Sequence, residues 1–200
     1  INALQPSATM AVIEAAARLR EQGIDVISFG AGEPDFDTPD HIIAAANKAL
    51  AEGHTRYTAG SGTTGLKQAV VNKLKKDNGL DYQTNQVVIS NGGKHSLFNI
   101  MMSLFEEGDE VIVLAPYWVT YPEVVKVSGA EPVYVETHEK DGFQITREQL
   151  LEGVTEKTKG IIVNTPSNPS GAVLNRESLE AIVDVATSED LWLISDECYE

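Results

Sequence analysis

Short polar segments follow the ends of several predicted strands, which is where ligands gather in parallel α/β sheets. The segment Asn91-Gly92-Gly93-Lys94 follows the apolar run Val87–Ser90 and directly precedes a predicted helix. Glycines let the backbone turn tightly, and the free amides and positive dipole end of a helix N-terminus attract anions. A dianionic phosphate would gain about 0.3–1 kcal/mol there, or ~2 kcal/mol if partly buried. The segment is typical either of a phosphate site or of an ordinary strand-to-helix turn.

Side chains after two other strands could contact a flat ring. Trp118 follows the run Glu110–Ala115, and its indole could stack on a ring for about 0.5–1.5 kcal/mol beyond its burial. Taken alone, it is more typical of a core or interface tryptophan. Asn168 lies between two prolines that stiffen the loop after Gly160–Asn164. Because an amide can donate and accept at once, we expect Asn168 to orient a ligand.

A carboxylate, Asp196, follows the apolar run Leu191–Ser195. At the end of a buried strand a carboxylate is costly without a partner, and a metal ion, an arginine and a protonated heterocycle are the candidates. The chain's histidines show no spacing typical of metal ligands, so we expect no metal site. They are His41, His54, His95 and His138.

Two glycine-rich stretches invite a dinucleotide interpretation. The segment Gly60–Gly65 matches the GxGxxG pattern and opens a helix, but the residues before it, Thr55–Ala59, make a poor buried strand. The stretch from Gly30 to Glu33 follows a strand-like run, but Pro34 blocks a helix there. Neither stretch has the context that NAD binding requires.

The elements that must position these residues alternate between short apolar runs and amphipathic segments. From Val87 onward the runs are β-branched and almost continuously apolar, as in strands buried on both faces. This order predicts a mostly parallel sheet in a three-layer α/β/α domain. The predicted strands are Val87–Ser90, Glu110–Ala115, Pro132–Glu136, Gly160–Asn164 and Leu191–Ser195, and Asp25–Gly30 is predicted to be a strand or an extended entry. The predicted helices are Thr9–Gln22, Pro39–Glu52, Gly65–Asn78, Lys94–Phe105, Pro122–Ser128, Arg147–Glu152 and Arg176–Thr187, with Thr38 capping the second and Gly79 ending the third.

Composition excludes several classes of partner. With 15 basic and 30 acidic residues, the net charge of −15 disfavours nucleic acids and anionic membranes. There is no apolar run of membrane-spanning length and no signal-peptide pattern at the start. The only cysteine, Cys198, rules out an internal disulfide, which suits a reducing compartment, and we expect the cytoplasm.

In combination, these segments resemble the cofactor site of class I (fold type I) aminotransferases, which use pyridoxal 5'-phosphate (PLP). The resemblance covers essentially the whole chain and is greatest to bacterial-type aspartate aminotransferases of the aspartate/prephenate branch. It rests on Pro6–Thr9, Ala31–Pro39, Tyr57, Ser90–Lys94, Pro116–Trp118, Asn168–Gly171 and Ser195–Tyr199. It implies that residues 1–38 form an N-terminal arm and part of a small domain, and that 39–200 form an incomplete PLP-binding large domain.

The resemblance also implies roles for the residues around the cofactor ring. Asp196 would pair with the pyridine nitrogen and keep it protonated, and each pKa unit so gained is worth about 1.4 kcal/mol. Trp118 would stack on the ring. Asn168 and Tyr199 would hydrogen-bond the phenolic oxygen of the ring.

Further residues are implied to contact the phosphate and the substrate. Gly93 and Lys94 would hold the phosphate, and Tyr57 is similar to a tyrosine that reaches the cofactor of a neighbouring subunit, which implies a homodimer. Gly32 would help to place the substrate carboxylate beside Asn168 and Trp118. Lys94 and Thr9 match positions used in this branch for recognition of dicarboxylates.

The resemblance implies that the catalytic lysine and the arginine that binds the substrate α-carboxylate lie beyond Glu200, since family members are about twice as long. We therefore expect a fragment that is inactive alone, from a protein that transaminates aspartate with 2-oxoglutarate. A related PLP-dependent lyase or an aminocyclopropane-carboxylate-synthase-like enzyme is the alternative. A regulatory module with an N-terminal DNA-binding segment is disfavoured, because residues 1–24 contain only Arg18 and Arg20 as cations.

Overall fold

The computed structural model describes residues 8–30 and 32–200, which divide into two compact units. The first unit runs from Ala8 to Asn91 and the second from Gly92 to Glu200, and each is described by itself. None of the helices in the described ranges is long and apolar enough to cross a membrane. The boundary after residue 38 concerns the domains of an intact protein and stays a prediction.

The first unit is helical in its regular parts. Its helices are α1 (Ala8–Glu21), α2 (Asp40–Ala51) and α3 (Thr64–Lys73), and α3 continues into a π-helical turn at Leu74–Asn78 before a 3₁₀ turn at Thr84–Gln86. Thr63 caps α3 by accepting a hydrogen bond from the Leu66 amide at 3.4 Å. Gly79 ends the helical segment in the left-handed conformation, as predicted, with a φ of 70°.

Two details predicted for this unit are wrong. The run Val87–Ser90 forms no strand, because a strand needs a partner strand and the Ile89 amide instead donates to the loop carbonyl of Ser61 at 3.0 Å. The run Asp25–Gly30, predicted as a strand or an extended entry, forms no strand, which leaves the second interpretation. The cap of α2 is Pro39 and not Thr38, so the helix begins at Asp40.

The second unit contains the predicted parallel sheet. Its elements in chain order are α4 (Gly93–Leu104), β1 (Glu110–Ala115), α5 (Thr120–Ser128), β2 (Glu131–Glu136), α6 (Arg147–Glu152), β3 (Thr158–Asn164), α7 (Arg176–Ser188) and β4 (Trp192–Asp196). The strands lie in the order β2-β1-β3-β4, and each neighbouring pair is parallel. The predicted bounds of these strands agree with the structure to within two residues at each end.

Alternating strand residues bury the sheet on both faces. Val111 and Val113 point into a core formed with α4 and α5, whereas Ile112 points into a core formed with α6 and α7. Met101 of α4 and Leu150 of α6, both 0% exposed, lie on these opposite sides. The three-layer α/β/α arrangement that the apolar runs predict is thereby confirmed.

Gly160 lets one layer approach the sheet closely. A Cβ atom at this position would lie 2.7 Å from Cζ of Phe105 and 3.3 Å from the Trp192 carbonyl oxygen. Phe105, which is 6% exposed, is part of the core on that face. The ring therefore occupies the space that a side chain on this central strand would need.

Candidate functional site

The candidate site lies at the carboxyl ends of β3 and β4, which meet because the two strands are parallel and in register. Asn164 and Asp196, the last residues of these strands, are register partners. The loop after β3 contains Asn168, and Tyr199 follows β4 by three residues. The predicted carboxylate and the predicted amide are thus at one edge of the sheet.

Asp196 is held by hydrogen bonds to both of its carboxylate oxygens. Its Oδ2 accepts from the Tyr121 hydroxyl at 2.7 Å, and its Oδ1 accepts from the Cys198 amide at 3.1 Å. Its backbone carbonyl accepts from Nδ2 of Asn164 at 3.0 Å. Because a carboxylate has about four acceptor positions, these donors leave capacity for a further donor such as a protonated ring nitrogen.

Asn168 is tethered through its backbone and faces a tyrosine through its side chain. Its amide nitrogen donates to Oδ1 of Asn164 at 2.8 Å, and its Nδ2 donates to the Tyr199 hydroxyl at 3.4 Å. The loop is closed by the Gly171 amide, which donates to the Ser167 carbonyl at 2.8 Å. The structure therefore brings together Asn168 and Tyr199, the two residues predicted to share the phenolic oxygen of a ring.

Trp118 contacts Tyr121, which binds Asp196, and also Lys94 at the start of α4. Its ring meets the Tyr121 ring edge-on, with centroids 5.5 Å apart and planes at 87°. Lys94 Nζ lies 5.2 Å from the centroid of the Trp118 ring, within the range of a cation–π contact. Trp118 is therefore connected on one side to the residue that binds Asp196 and on the other to the start of α4.

The N-terminus of α4 has the features of an anion site. Its cap residue, Gly92, has a φ of 83° and no side chain that could accept from the first-turn amides. A Cβ atom added at Gly93 would meet no atom within 4 Å, so the space beside the first residue of the helix is open. These features suit a phosphate group, because backbone amides and the positive end of the dipole face that space.

Two residues of this network, Tyr121 and Asn164, were not identified from the sequence. Tyr121 follows Trp118 by three residues, and a helical turn places such residues on one side. Asn164 is a polar residue that ends an otherwise apolar strand. Both signals are present in the sequence, but each is also common in ordinary structural positions.

The remaining predicted site residues belong to the other unit. Tyr57 is fully exposed, Gly32 lies in an exposed irregular segment, and Thr9 is the second residue of α1. Pro6, Ser7 and Ala31 lie outside the described residues. The roles of this group stay predictions.

The chemistry of the donor set in the second unit suits PLP. Asp196 offers a carboxylate to a protonated ring nitrogen, Asn168 and Tyr199 offer polar groups to a ring oxygen, and Gly93 begins an open anion site. No group of three or more His, Cys, Asp and Glu side chains that could hold a metal ion occurs in residues 8–30 and 32–200.

Comparison with known proteins gives consistent matches. The family model described as aminotransferase class I and II matches residues 24–200. The aspartate aminotransferase of Geobacillus stearothermophilus is 48% identical over all 200 residues, which cover 51% of that protein. The aspartate/prephenate aminotransferase of Thermus thermophilus is 45% identical over the whole chain and 52% of its own length.

A solved structure agrees with these matches. The aspartate aminotransferase from Thermus thermophilus with maleate superposes with a TM-score of 0.96 at 45% sequence identity. The superposition covers 100% of this chain and 52% of that one. The chain spans about half the length of the curated relatives it matches.

Proposed function

Because this chain belongs to the class I and II aminotransferases, we propose that the intact protein transfers an amino group between an L-amino acid and a 2-oxo acid with PLP. The observation that carries the proposal is the grouping of Asp196, Asn168 and Tyr199 at the ends of two parallel strands, with Trp118 and the start of α4 nearby. A ring nitrogen, a ring oxygen and a phosphate require this combination of groups.

We further propose aspartate as the amino donor and 2-oxoglutarate as the acceptor. Support comes from the names of the relatives and from the Thermus protein, whose structure holds maleate, a four-carbon dicarboxylate. Lys94 and Thr9 would bind the distal carboxylate, and Gly32, Trp118 and Asn168 would place the reacting end. The lyase alternative is not favoured, since the relatives are named as aminotransferases.

When bound, PLP supplies an electron sink that stabilises a carbanion at the substrate's α-carbon. The part of Asp196 in this chemistry is to hold a proton on the ring nitrogen, and the Tyr121 and Cys198 donors keep its two oxygens in a fixed plane. Asn168 and Tyr199 orient the ring by binding its phenolic oxygen. Trp118 would stack on the ring and exclude water from it.

The phosphate and the partner subunit complete the proposed arrangement. The amides of Gly93 and Lys94 bind the phosphate at the positive end of α4. Tyr57, whose ring is free of the rest of its unit, reaches the phosphate in the neighbouring subunit of a homodimer. A lysine would move the proton in this reaction. We place this enzyme in the cytoplasm, in keeping with its lone cysteine.

Production of oxaloacetate by the intact protein tests this proposal. Apo-protein is incubated with aspartate and 2-oxoglutarate, with and without PLP, and oxaloacetate is measured through coupled NADH oxidation. We expect turnover only with PLP, a large loss in Asp196→Asn, and no loss in Asp184→Asn, which makes the same charge change on the exposed face of α7. Absence of PLP-dependent turnover with every amino donor tried would refute the proposal, and the 200-residue chain alone should be inactive.

A further inference from the structure

Tyr121 connects the predicted ring-stacking tryptophan to the predicted ring-nitrogen carboxylate. Its hydroxyl donates to Oδ2 of Asp196 at 2.7 Å, and its ring meets Trp118 edge-on at 5.5 Å. We propose that Tyr121 is a positioning residue that fixes the Asp196 carboxylate for the cofactor's ring nitrogen, an inference that rests on the proposed function. Neither the motif at Asp196 nor the motif at Trp118 includes it.

The position of Tyr121 is determined by the core and not by its hydrogen bond. The residue is 2% exposed, lies in the first turn of α5, and packs in the core formed with α4. Asp196, in contrast, is only half-buried at the end of β4. The tyrosine is therefore the rigid partner, and the carboxylate adopts the orientation that the tyrosine imposes.

The two donors to Asp196 determine the orientation of its carboxylate. Tyr121 binds Oδ2 and the Cys198 amide binds Oδ1, so rotation of the carboxylate would break both bonds. The Cys198 amide belongs to the exposed segment directly after β4, whereas the Tyr121 hydroxyl comes from α5, which is distant in sequence. Within residues 8–30 and 32–200, removal of the hydroxyl leaves the Cys198 amide of the local turn as the donor to the Asp196 carboxylate.

The Tyr121 hydroxyl remains a donor over the whole working range of pH. Burial, followed by the hydrogen bond to Asp196, raises the pKa of Tyr121 well above its usual range. The proton of this bond therefore resides on the phenol, and the carboxylate oxygen accepts it.

The test uses the intact protein, the variant Tyr121→Phe and two readouts that do not depend on turnover. The first is the dissociation constant of PLP from the apo-protein, which we expect to rise by up to about 10-fold, because a carboxylate that is no longer positioned would bind the ring nitrogen less well. The second is the nitrogen NMR resonance of bound PLP labelled at its ring nitrogen, which we expect to move toward the unprotonated form. Tyr134→Phe removes a hydroxyl from β2 of the same sheet and should leave both readouts unchanged.

A double-mutant cycle separates positioning from a general packing effect. In an Asp196→Asn background, Tyr121→Phe should weaken PLP binding by less than about 2-fold, since the carboxylate it positions is absent. An equal, additive loss in both backgrounds would overturn the proposal. If Tyr121→Phe does not fold, 3-fluorotyrosine at position 121 keeps the hydroxyl and changes its acidity, and an unmoved ring-nitrogen resonance would count against Tyr121.

The outcomes for the two proposals are distinct. Failure of the wild-type protein to bind PLP would remove the proposed function. Normal binding by the wild type, with the same affinity and the same nitrogen resonance in Tyr121→Phe, would remove only the role of Tyr121.

Discussion

Asn164 joins the two strand ends of the site, and its removal should loosen the loop that contains Asn168. Its Oδ1 accepts from the Asn168 amide at 2.8 Å, and its Nδ2 donates to the Asp196 carbonyl at 3.0 Å. Asn164→Ala deletes both bonds. Asn164→Asp keeps an acceptor for the Asn168 amide and deletes only the donor to Asp196.

The expected magnitude follows from the number of bonds lost. One hydrogen bond of this kind contributes about 0.5–1.5 kcal/mol, so loss of both bonds in Asn164→Ala should cost about 1–3 kcal/mol. Local opening of the loop depends only on the bond to the Asn168 amide. Its loss should therefore speed hydrogen exchange at this amide by about 2- to 13-fold.

Hydrogen exchange of the intact protein, resolved to single amides by mass spectrometry, measures this effect. In Asn164→Asp the Asn168 amide should exchange no faster than in the wild type, because a carboxylate accepts at least as strongly as an amide oxygen. Asn72→Ala, which removes an exposed 3.0 Å hydrogen bond with Gln68, should leave the loop unchanged. Equal exchange of the Asn168 amide in the wild type and in Asn164→Ala would show that this bond does not hold the loop.

Three further predictions concern the unit that contains the sheet. Gly160→Ala should destabilise the intact protein by about 1–3 kcal/mol in denaturant unfolding, because the new methyl group meets the Phe105 ring. Adding Phe105→Leu to the same chain should recover part of this loss, and full additivity of the two variants' free-energy changes would contradict this cause. Met101→Ala should lower the free energy of unfolding by about 2–5 kcal/mol, since Met101 is 0% exposed. Its neighbour Met102 is 51% exposed, and Met102→Ala should change that free energy by no more than about 0.5 kcal/mol. Similar losses in the two variants would contradict the assigned core. Burial, with a hydrogen bond that the Tyr134 hydroxyl donates to Tyr117, raises the pKa of Tyr134 to about 12 from 10.0. Its contribution to stability is therefore complete below pH 10 and is lost as the pH rises toward 12. Phenolate absorbance of the wild type minus that of Tyr134→Phe measures this titration, and a midpoint near 10.0 would contradict the environment described.

Local pattern was sufficient for the sheet and for the strand-end motifs. After Glu110, the run Val111–Ala115 is apolar without interruption, and the strand Glu110–Ala115 is packed between helices on both faces. The position of Asn168 and Asp196 at one edge of the sheet could be predicted, because strands of a parallel sheet end at the same edge and the order of elements already indicates such a sheet.

Distant contacts could not be predicted in the same way. Val87–Ser90 has strand-like composition, but strand formation depends on a neighbouring strand, and its Ile89 amide contacts a loop instead. The hydrogen bond between Tyr121 and Asp196 joins residues 75 positions apart, and the one between Asn164 and Asp196 spans 32. Residue types and spacing therefore determined which groups could bind the ring and phosphate of a cofactor. Only the tertiary structure decided which side chains hold those groups in place, because such contacts depend on the packing of helix against sheet.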